Sequence, residues 1–311
     1  MVPLHIDGDE PGALLERRSF LAAALKAAGA AALLALPGKG LTTDLHPPET
    51  TYTVQEIIDL ILKEIPGAPF AHTVDTIKSG NAGQKVTGIV TTMFATIKVI
   101  EDAAGMNANF IIAHEPTFYN HEDDIHWVLH NEVLKKKQDL LQQHQIAIWR
   151  FHDYWHSHLP DGIGYGVLKM AGWLPYYQPD KKMVQLPPLS LKELLLQLKK
   201  NLAINHMRVI GDPDQICERI ALLPGAAGGQ RQILLAENEK PDVLIVGEVH
   251  EWETAEYIRD ARQLGSKISL IVLGHGVSEE PGMAWLVEWL GPKLPGLPIN
   301  HLASGDPFIW A

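Results

Sequence analysis

The sequence predicts an α/β protein of two related halves, each a mixed sheet flanked by helices. Three observations carry that prediction. Two apolar, β-branched runs far apart in the chain, 109–113 and 268–273, each deliver a histidine with a carboxylate close behind it, as His114-Glu115-Pro116 and as His275-Gly276-Val277-Ser278-Glu279. Strand, helix and strand candidates follow one another at βαβ spacing between 86 and 113. A polar, proline-containing stretch over 179–190 then separates this half from a second series of strands and helices.

In chain order, Arg17-Arg18-Ser19-Phe20-Leu21 precedes an Ala/Leu run, Ala22 to Leu36, ended by Pro37-Gly38-Lys39-Gly40. Charged flank, short apolar core and breaker form a secretory signal pattern, and the paired arginines resemble a bacterial twin-arginine signal. The run is short and Ala-rich for a permanent membrane span. A soluble amphipathic helix is the alternative, although the run lacks a polar face. No clean Ala-x-Ala precedes Pro37, so an uncleaved anchor stays open. Residues 1–40 are thus read as a twin-arginine-type signal segment and 41–51 as a linker, and the mature domain is expected in the periplasm or otherwise exported.

Thr53 is placed to cap a helix over 54–64, with Glu56 completing a capping box. A strand over 86–92, a helix over 95–104 closed by Gly105, and a strand over 110–113 make the βαβ unit. A helix over 125–144, a strand over 146–151 and a helix from Gly162 to Gly172 complete the N-terminal half, 52–185. The C-terminal half, 186–311, holds a Leu-rich helix over 191–201 and strands over 208–211, 220–223 and 243–246. A helix over 254–264, a strand over 268–273 and a final helix over 282–290 follow. The halves share a rhythm without a sequence-level repeat.

With 46% hydrophobic and 20% charged residues, the chain can bury a substantial core. Its net charge of −11 argues against nonspecific attraction to nucleic acid, or to an anionic membrane unless the signal stays uncleaved. Cys217 is the one cysteine, which excludes an intramolecular disulfide and thiolate metal sites. Open α/β sheets bind ligands at the carboxyl ends of their strands, where both histidines fall. If Gly274 or Gly276 turns the chain into a helix, His275 and Glu279 share one helical face. A His and a carboxylate from each half are the raw material of a shared metal centre in the cleft between the halves, held by nitrogen and oxygen alone.

Several blocks follow in order along the chain: Thr87-Gly88-Ile89, 110–116, Arg208-Val209-Ile210-Gly211-Asp212, Gly225-Ala226-Ala227-Gly228-Gly229, 242–248 and 274–279. In them the chain resembles, from about Tyr52 to Trp310, the dinuclear-metal hexameric proteins related to Ngg-one-interacting factor three, also called GTP cyclohydrolase I type 2 homologues. The resemblance implies two divalent ions (Zn, Mn, Fe or Ni), a homo-oligomer, as a hexamer, and the short form of the family. Two positions depart from the family pattern. The adjacent His-His-Pro is here His114-Glu115-Pro116, and the aspartate four residues after a histidine falls on His156, with His152 as that histidine. The implied ligands are three imidazoles, His114, His156 and His275, and two carboxylates, Glu115 and Glu279. Loss of one ion, with Glu115 or His156 facing solvent, is the alternative, and Asp153 is the spare ligand if the register slips.

Two ions about 3.5–4 Å apart would activate a water for hydrolysis, and Glu279 suits a bridge between them. Glu248 and His250 are candidate proton carriers or ligand-orienting groups, against a reading as a capped strand end at the surface. His121-Glu122-Asp123-Asp124 is read as a helix start, its carboxylates at the positive end of the dipole, with His121 lining the site mouth. Trp155 is a candidate pocket wall. Gly225–Gly229 lacks the Lys-Ser/Thr of a P-loop and is read as a tight turn close to the metals. The expected function is an exported metal-dependent hydrolase of an unnamed small molecule, and the resemblance to GTP cyclohydrolases is discounted because GTP is scarce outside the cytoplasm. The alternative is a non-catalytic metal-binding or scaffold protein forming a ring.

Overall fold

A computed structural model describes residues 51–179, 181 and 183–309. The expected signal segment, and the linker up to residue 50, lie outside the described residues. In chain order the elements are α1 (Val54–Leu62), β1 (Ile77–Ser79), β2 (Ile89–Thr92), α2 (Ile97–Gly105), β3 (Phe110–Ala113), α3 (Glu132–Gln143), β4 (Ala147–Arg150), α4 (Asp153–Ser157) and α5 (Gly162–Ala171). There follow β5 (Met183–Ser190), α6 (Leu191–Asn201), β6 (Arg208–Ile210), β7 (Ile216–Leu223), α7 (Gly229–Glu239), β8 (Val243–Val246), α8 (Glu256–Gln263), β9 (Ser269–Val272), α9 (His275–Leu290) and β10 (Ile299–His301). Among the described residues no helix is long and apolar enough to cross a membrane.

The strands form two five-stranded sheets of mixed direction, flanked by helices, as the sequence predicts. The first has the order β1-β4-β3-β2-β10, with β1 antiparallel to β4 and the other pairs parallel. The second has the order β5-β7-β8-β9-β6, a parallel centre with antiparallel strands at both edges. Every residue of β2, β3, β4, β8 and β9 is buried, which is why β3 and β8 read as continuous apolar runs and none of the five alternates. The last helix follows β9 of the second sheet and packs into the core of the first. α9 packs on α5 and on β2, its Met283, Leu286 and Leu290 enter the core with Phe110, Trp149 and Trp155, and β10 then pairs with β2.

Local chemistry explains the boundaries. Thr53 and Glu56 form the expected capping box on α1, and Gly172 closes α5 in the left-handed region at φ 80°. The starts of two helices are corrected. The helix over 125–144 is a 3-10 turn at His126–Val128 followed by α3, because Asn131 is the residue that caps, accepting from the Val133 and Leu134 amides. The His121–Asp124 cluster therefore lies in a loop ahead of the helix, and Asp123 is committed instead to the Phe118 amide and to Lys78. The boundary stretch 179–190 contains β5, an edge strand whose register shifts between Gln185 and Leu189 around Pro187-Pro188, residues that donate nothing to a ladder. The final helix begins at His275 rather than 282 and carries Pro281 inside it. Helix α7 and the short strands β1 and β10 have no counterpart in the sequence reading.

Candidate metal centre

Three strand ends converge. β3 leads into His114 and Glu115; β4 leads through Arg150 and Phe151 into His152 and α4, which carries His156; β9 leads through Gly274 into α9, which opens with His275 and presents Glu279 one turn later. The i, i+4 pair of α9 thus shares a face, as its spacing predicts. Asp75, 6% exposed, organises the second of these turns: its carboxylate accepts the amides of His152 (2.8 Å), Asp153 (3.1 Å) and Tyr154 (2.8 Å). Burial raises the Asp75 pKa, against the lowering effect of those amides.

His114 is fully buried, and its Nδ1 lies 3.0 Å from the Phe151 carbonyl. A carbonyl only accepts, so Nδ1 carries the proton and Nε2 presents a lone pair. That nitrogen is buried and has no hydrogen-bond partner among the described residues, although Glu279 Oε2 stands 3.6 Å away. Burial, then the neighbouring His156 and His152, hold the ring's pKa well below the usual imidazole value, so it is neutral. A neutral imidazole with an unpaired nitrogen, aimed at other donors, fits a metal ligand.

The donors around it form two groups whose atoms lie within 4.8 Å of one another: His114, His152 and His156, and His114, Glu115 and Glu279. His275 joins the second group, with Nε2 at 3.2 Å from Glu115 Oε1 and 3.1 Å from Glu279 Oε2. Its Nδ1 meets Glu248 Oε1 at 2.7 Å. Burial alone would favour a neutral His275, yet the three carboxylates outweigh it and push the pKa up to about 12. A proton on Nε2 and a cation in its place answer the same two carboxylates. Each of the other imidazoles is aimed by a partner on its far nitrogen: His152 Nδ1 by Asp153 at 2.9 Å, and His156 Nδ1 by Asp161 at 3.0 Å. His156 Nε2 stands 3.9 Å from Glu279 Oε1, and burial of this ring is outweighed by Asp161 and Glu279, which raise its pKa. Burial works to raise the Glu115 pKa too, but His275, His152 and Arg150 together hold it below the usual carboxylate value.

The structure therefore brings together His114, Glu115, His156, His275 and Glu279. Glu248 touches the cluster through His275 from a half-exposed position. His250, 64% exposed, pairs instead with Glu253 and lies flat on Trp252. Asp153 is engaged by Thr73, the Val74 amide and His152, so it aims a ligand rather than acting as one. Trp155 is no pocket wall: it is fully buried, stacks on Trp285 and bonds the Gly282 carbonyl. Two members escaped the sequence reading as site residues. His152 is signalled by its His-x-x-x-His spacing to His156. Arg150, fully buried beside Glu115, closes a strand and carries no sequence signal. The 225–229 turn abuts the centre, since a Cβ on Gly225 would sit 2.0 Å from Glu279 Oε1.

Among known proteins, the family model described as Duf34/NIF3 (NGG1p interacting factor 3) matches residues 53–305. A GTP cyclohydrolase 1 type 2 homolog from Clostridium perfringens is 23% identical over 226 residues, 69% of this chain and 82% of that protein. A namesake from Clostridium acetobutylicum is 25% identical over 233 residues, 71% of this chain and 82% of that one. Of solved structures, a Bacillus cereus protein related to NIF3 superposes with a TM-score of 0.66 at 17% identity, covering 84% of this chain and 99% of its own. A Staphylococcus aureus protein gives a TM-score of 0.66 at 18% identity with the same coverage. These structural likenesses extend to the fold.

Proposed function

This chain belongs to the Duf34/NIF3 family, and from that premise we propose that it is an exported metal-dependent hydrolase of a small molecule, working as a homo-oligomer with a centre for two divalent ions. The observation that carries the proposal is the orphaned, buried His114 Nε2 among imidazole and carboxylate donors. His114, His152 and His156 make an all-imidazole pocket; Glu115 and Glu279, with His275, make a mixed one beside it that shares His114. Nitrogen and oxygen donors of this kind suit Zn, Mn, Fe or Ni. When bound, such ions supply Lewis acidity and make water a better nucleophile near neutral pH.

The chain's own groups do the positioning. Phe151, Asp153, Asp161 and Glu248 each fix one imidazole through its far nitrogen, so the near nitrogens converge without searching. Glu248 is the carboxylate placed to accept or return a proton at the rim, being half exposed and hydrogen-bonded to His275. Export rests on the arginine-led N-terminal pattern, and oligomer formation on the family resemblance.

Elemental analysis of the purified chain, beside a His275→Ala, Glu279→Ala double variant, tests the centre. Two ions per chain, reduced in the variant, are expected, followed by turnover in a screen of phosphoester and amide substrates. A chain that carries no ion ends the proposal, and one that carries ions without turnover becomes a metal-binding protein instead.

A further inference from the structure

The two donor pockets differ in one fixed charge. Arg150 is fully buried at the end of β4 and spends its donors on the strand-end loops of the centre. Nε donates to the His114 carbonyl at 3.2 Å, Nη1 donates to the His121 carbonyl, and Nη2 donates to Glu115 Oε2 at 3.4 Å. Asp123 Oδ2 lies 3.8 Å from Nη1 and 3.2 Å from Lys78 Nζ, so two cations face two carboxylates, Glu115 and Asp123, in a buried row. The two oxygens of Glu115 are thereby divided. Oε2 faces the guanidinium, while Oε1 faces His275 at 3.2 Å and His152 Nε2 at 3.7 Å.

We propose that Arg150 is a positioning residue that restricts Glu115 to one donor oxygen and lowers the affinity of the Glu115–Glu279–His275 pocket for a divalent ion. The inference rests on the metal-centre reading above. A guanidinium cannot lose its charge in a protein, and two carbonyls hold it in place. The mixed pocket, which two carboxylates would otherwise make the more attractive to cations, is therefore largely offset at Glu115. The all-imidazole pocket has no such cation bonded to its ligands' side chains among the described residues. The consequence is an ion that exchanges in the mixed pocket, where a site with two free carboxylates would hold it fast.

The test titrates the metal-stripped full chain with Mn²⁺ and with Zn²⁺, following stoichiometry and affinity by calorimetry and native mass spectrometry. Arg150→Met is expected to tighten one binding step by about tenfold or more, the scale of removing one unit charge from a partly buried site. Arg150→Lys keeps the charge and is expected to stay within about threefold of the wild type. Adding Glu115→Gln to Arg150→Met should abolish the gain. Asp123→Asn acts in the opposite sense and serves if Arg150→Met does not fold. It removes a carboxylate that offsets Arg150 without touching a donor, so the same step should weaken. Unchanged affinity in Arg150→Met, equal gains in the Met and Lys variants, or an unchanged or tighter step in Asp123→Asn overturns the proposal while leaving the metal centre standing. A wild-type chain that binds neither ion overturns both.

Discussion

Gly225→Ala puts the coupling between the 225–229 turn and the metal centre to a quantitative test. Gly225 has φ +66°, a left-handed conformation that an alanine adopts at a cost of about 1–2 kcal/mol. The new Cβ would stand 2.0 Å from Glu279 Oε1 and 2.6 Å from its Cδ, where ordinary contact begins near 3.4 Å. Something must move by more than an ångström. The turn is held from both sides, since the Gly225 amide donates to Ser278 Oγ at 2.9 Å and its carbonyl accepts the Glu248 amide at 2.9 Å. The carboxylate is the part free to yield, and in yielding it leaves the donors it faces. The expected result is a stability loss of about 1–3 kcal/mol with metal affinity lowered about 10- to 100-fold. Gly228→Ala is the control, with φ +82° but nothing within 4 Å of the added Cβ. It should show the conformational loss alone, with affinity unchanged. Denaturant unfolding and metal titration of both variants give the two numbers. Wild-type affinity in a folded Gly225→Ala chain, or equal affinity losses in the two variants, would refute the reasoning.

Three further outcomes are expected. Asp75→Ala removes the acceptor of three amides at the head of α4 and should destabilise by about 1–3 kcal/mol, loosening His152 and His156 so that metal titration also shows weaker binding; full retention of affinity would separate the turn from the centre. Lys137, buried with Nζ donating to the Thr117 carbonyl at 2.7 Å, has its pKa pushed down to about 8 by burial. Between about pH 8 and 10.5 the unfolded chain then holds more protons than the folded one, so this residue's contribution to stability rises with pH across that window, by roughly 3 kcal/mol. The wild-type stability minus that of Lys137→Met, read from urea midpoints at both ends of the window, should grow accordingly, and a flat difference contradicts it. Stripping metal with a chelator should lower the melting temperature, as an ion present at 100 times its Kd contributes about 2.7 kcal/mol. A Glu279→Ala chain whose melting point responds to the chelator as the wild type does would place the bound ion elsewhere.

How much was legible depended on how local the cause is. Strand β3 (110–113), helix α6 (191–201) and strand β8 (243–246) have the predicted limits because a continuous apolar run or a capping residue marks their ends. α3 starts later than its sequence suggests because the three acidic residues at 122–124 look like a helix start, while Asp123 is buried against Lys78 and Arg150. Strand β5 was hidden by Pro187 and Pro188, which an edge strand tolerates at a register shift and a central strand would not. Strand β10, three residues long, exists because β2 offers it an open edge, and no residue in 299–301 announces that.

The α/β class, the buried central strands and the His and carboxylate pairs 114–115 and 275–279 at two strand ends are legible along the chain. Those follow from periodicity, apolar runs and residue chemistry, all of which act within a few positions of the chain. Which nitrogen of each imidazole is free is set partly nearby and partly at a distance: Asp153 and Asp161 stand one and five positions from the rings they aim, whereas the Phe151 carbonyl and Glu248 come from 37 and 27 positions away. Tertiary structure decided that His152 joins the donors, that His250 turns to Glu253, and that Arg150 divides the oxygens of Glu115. His250 and Glu253 are three positions apart, but Arg150 and Glu115 are 35 apart, and Glu115 and His275 are 160 apart. Interactions across 35 or 160 positions leave no pattern along the chain, since the partners meet only where the ends of β3, β4 and β9 converge.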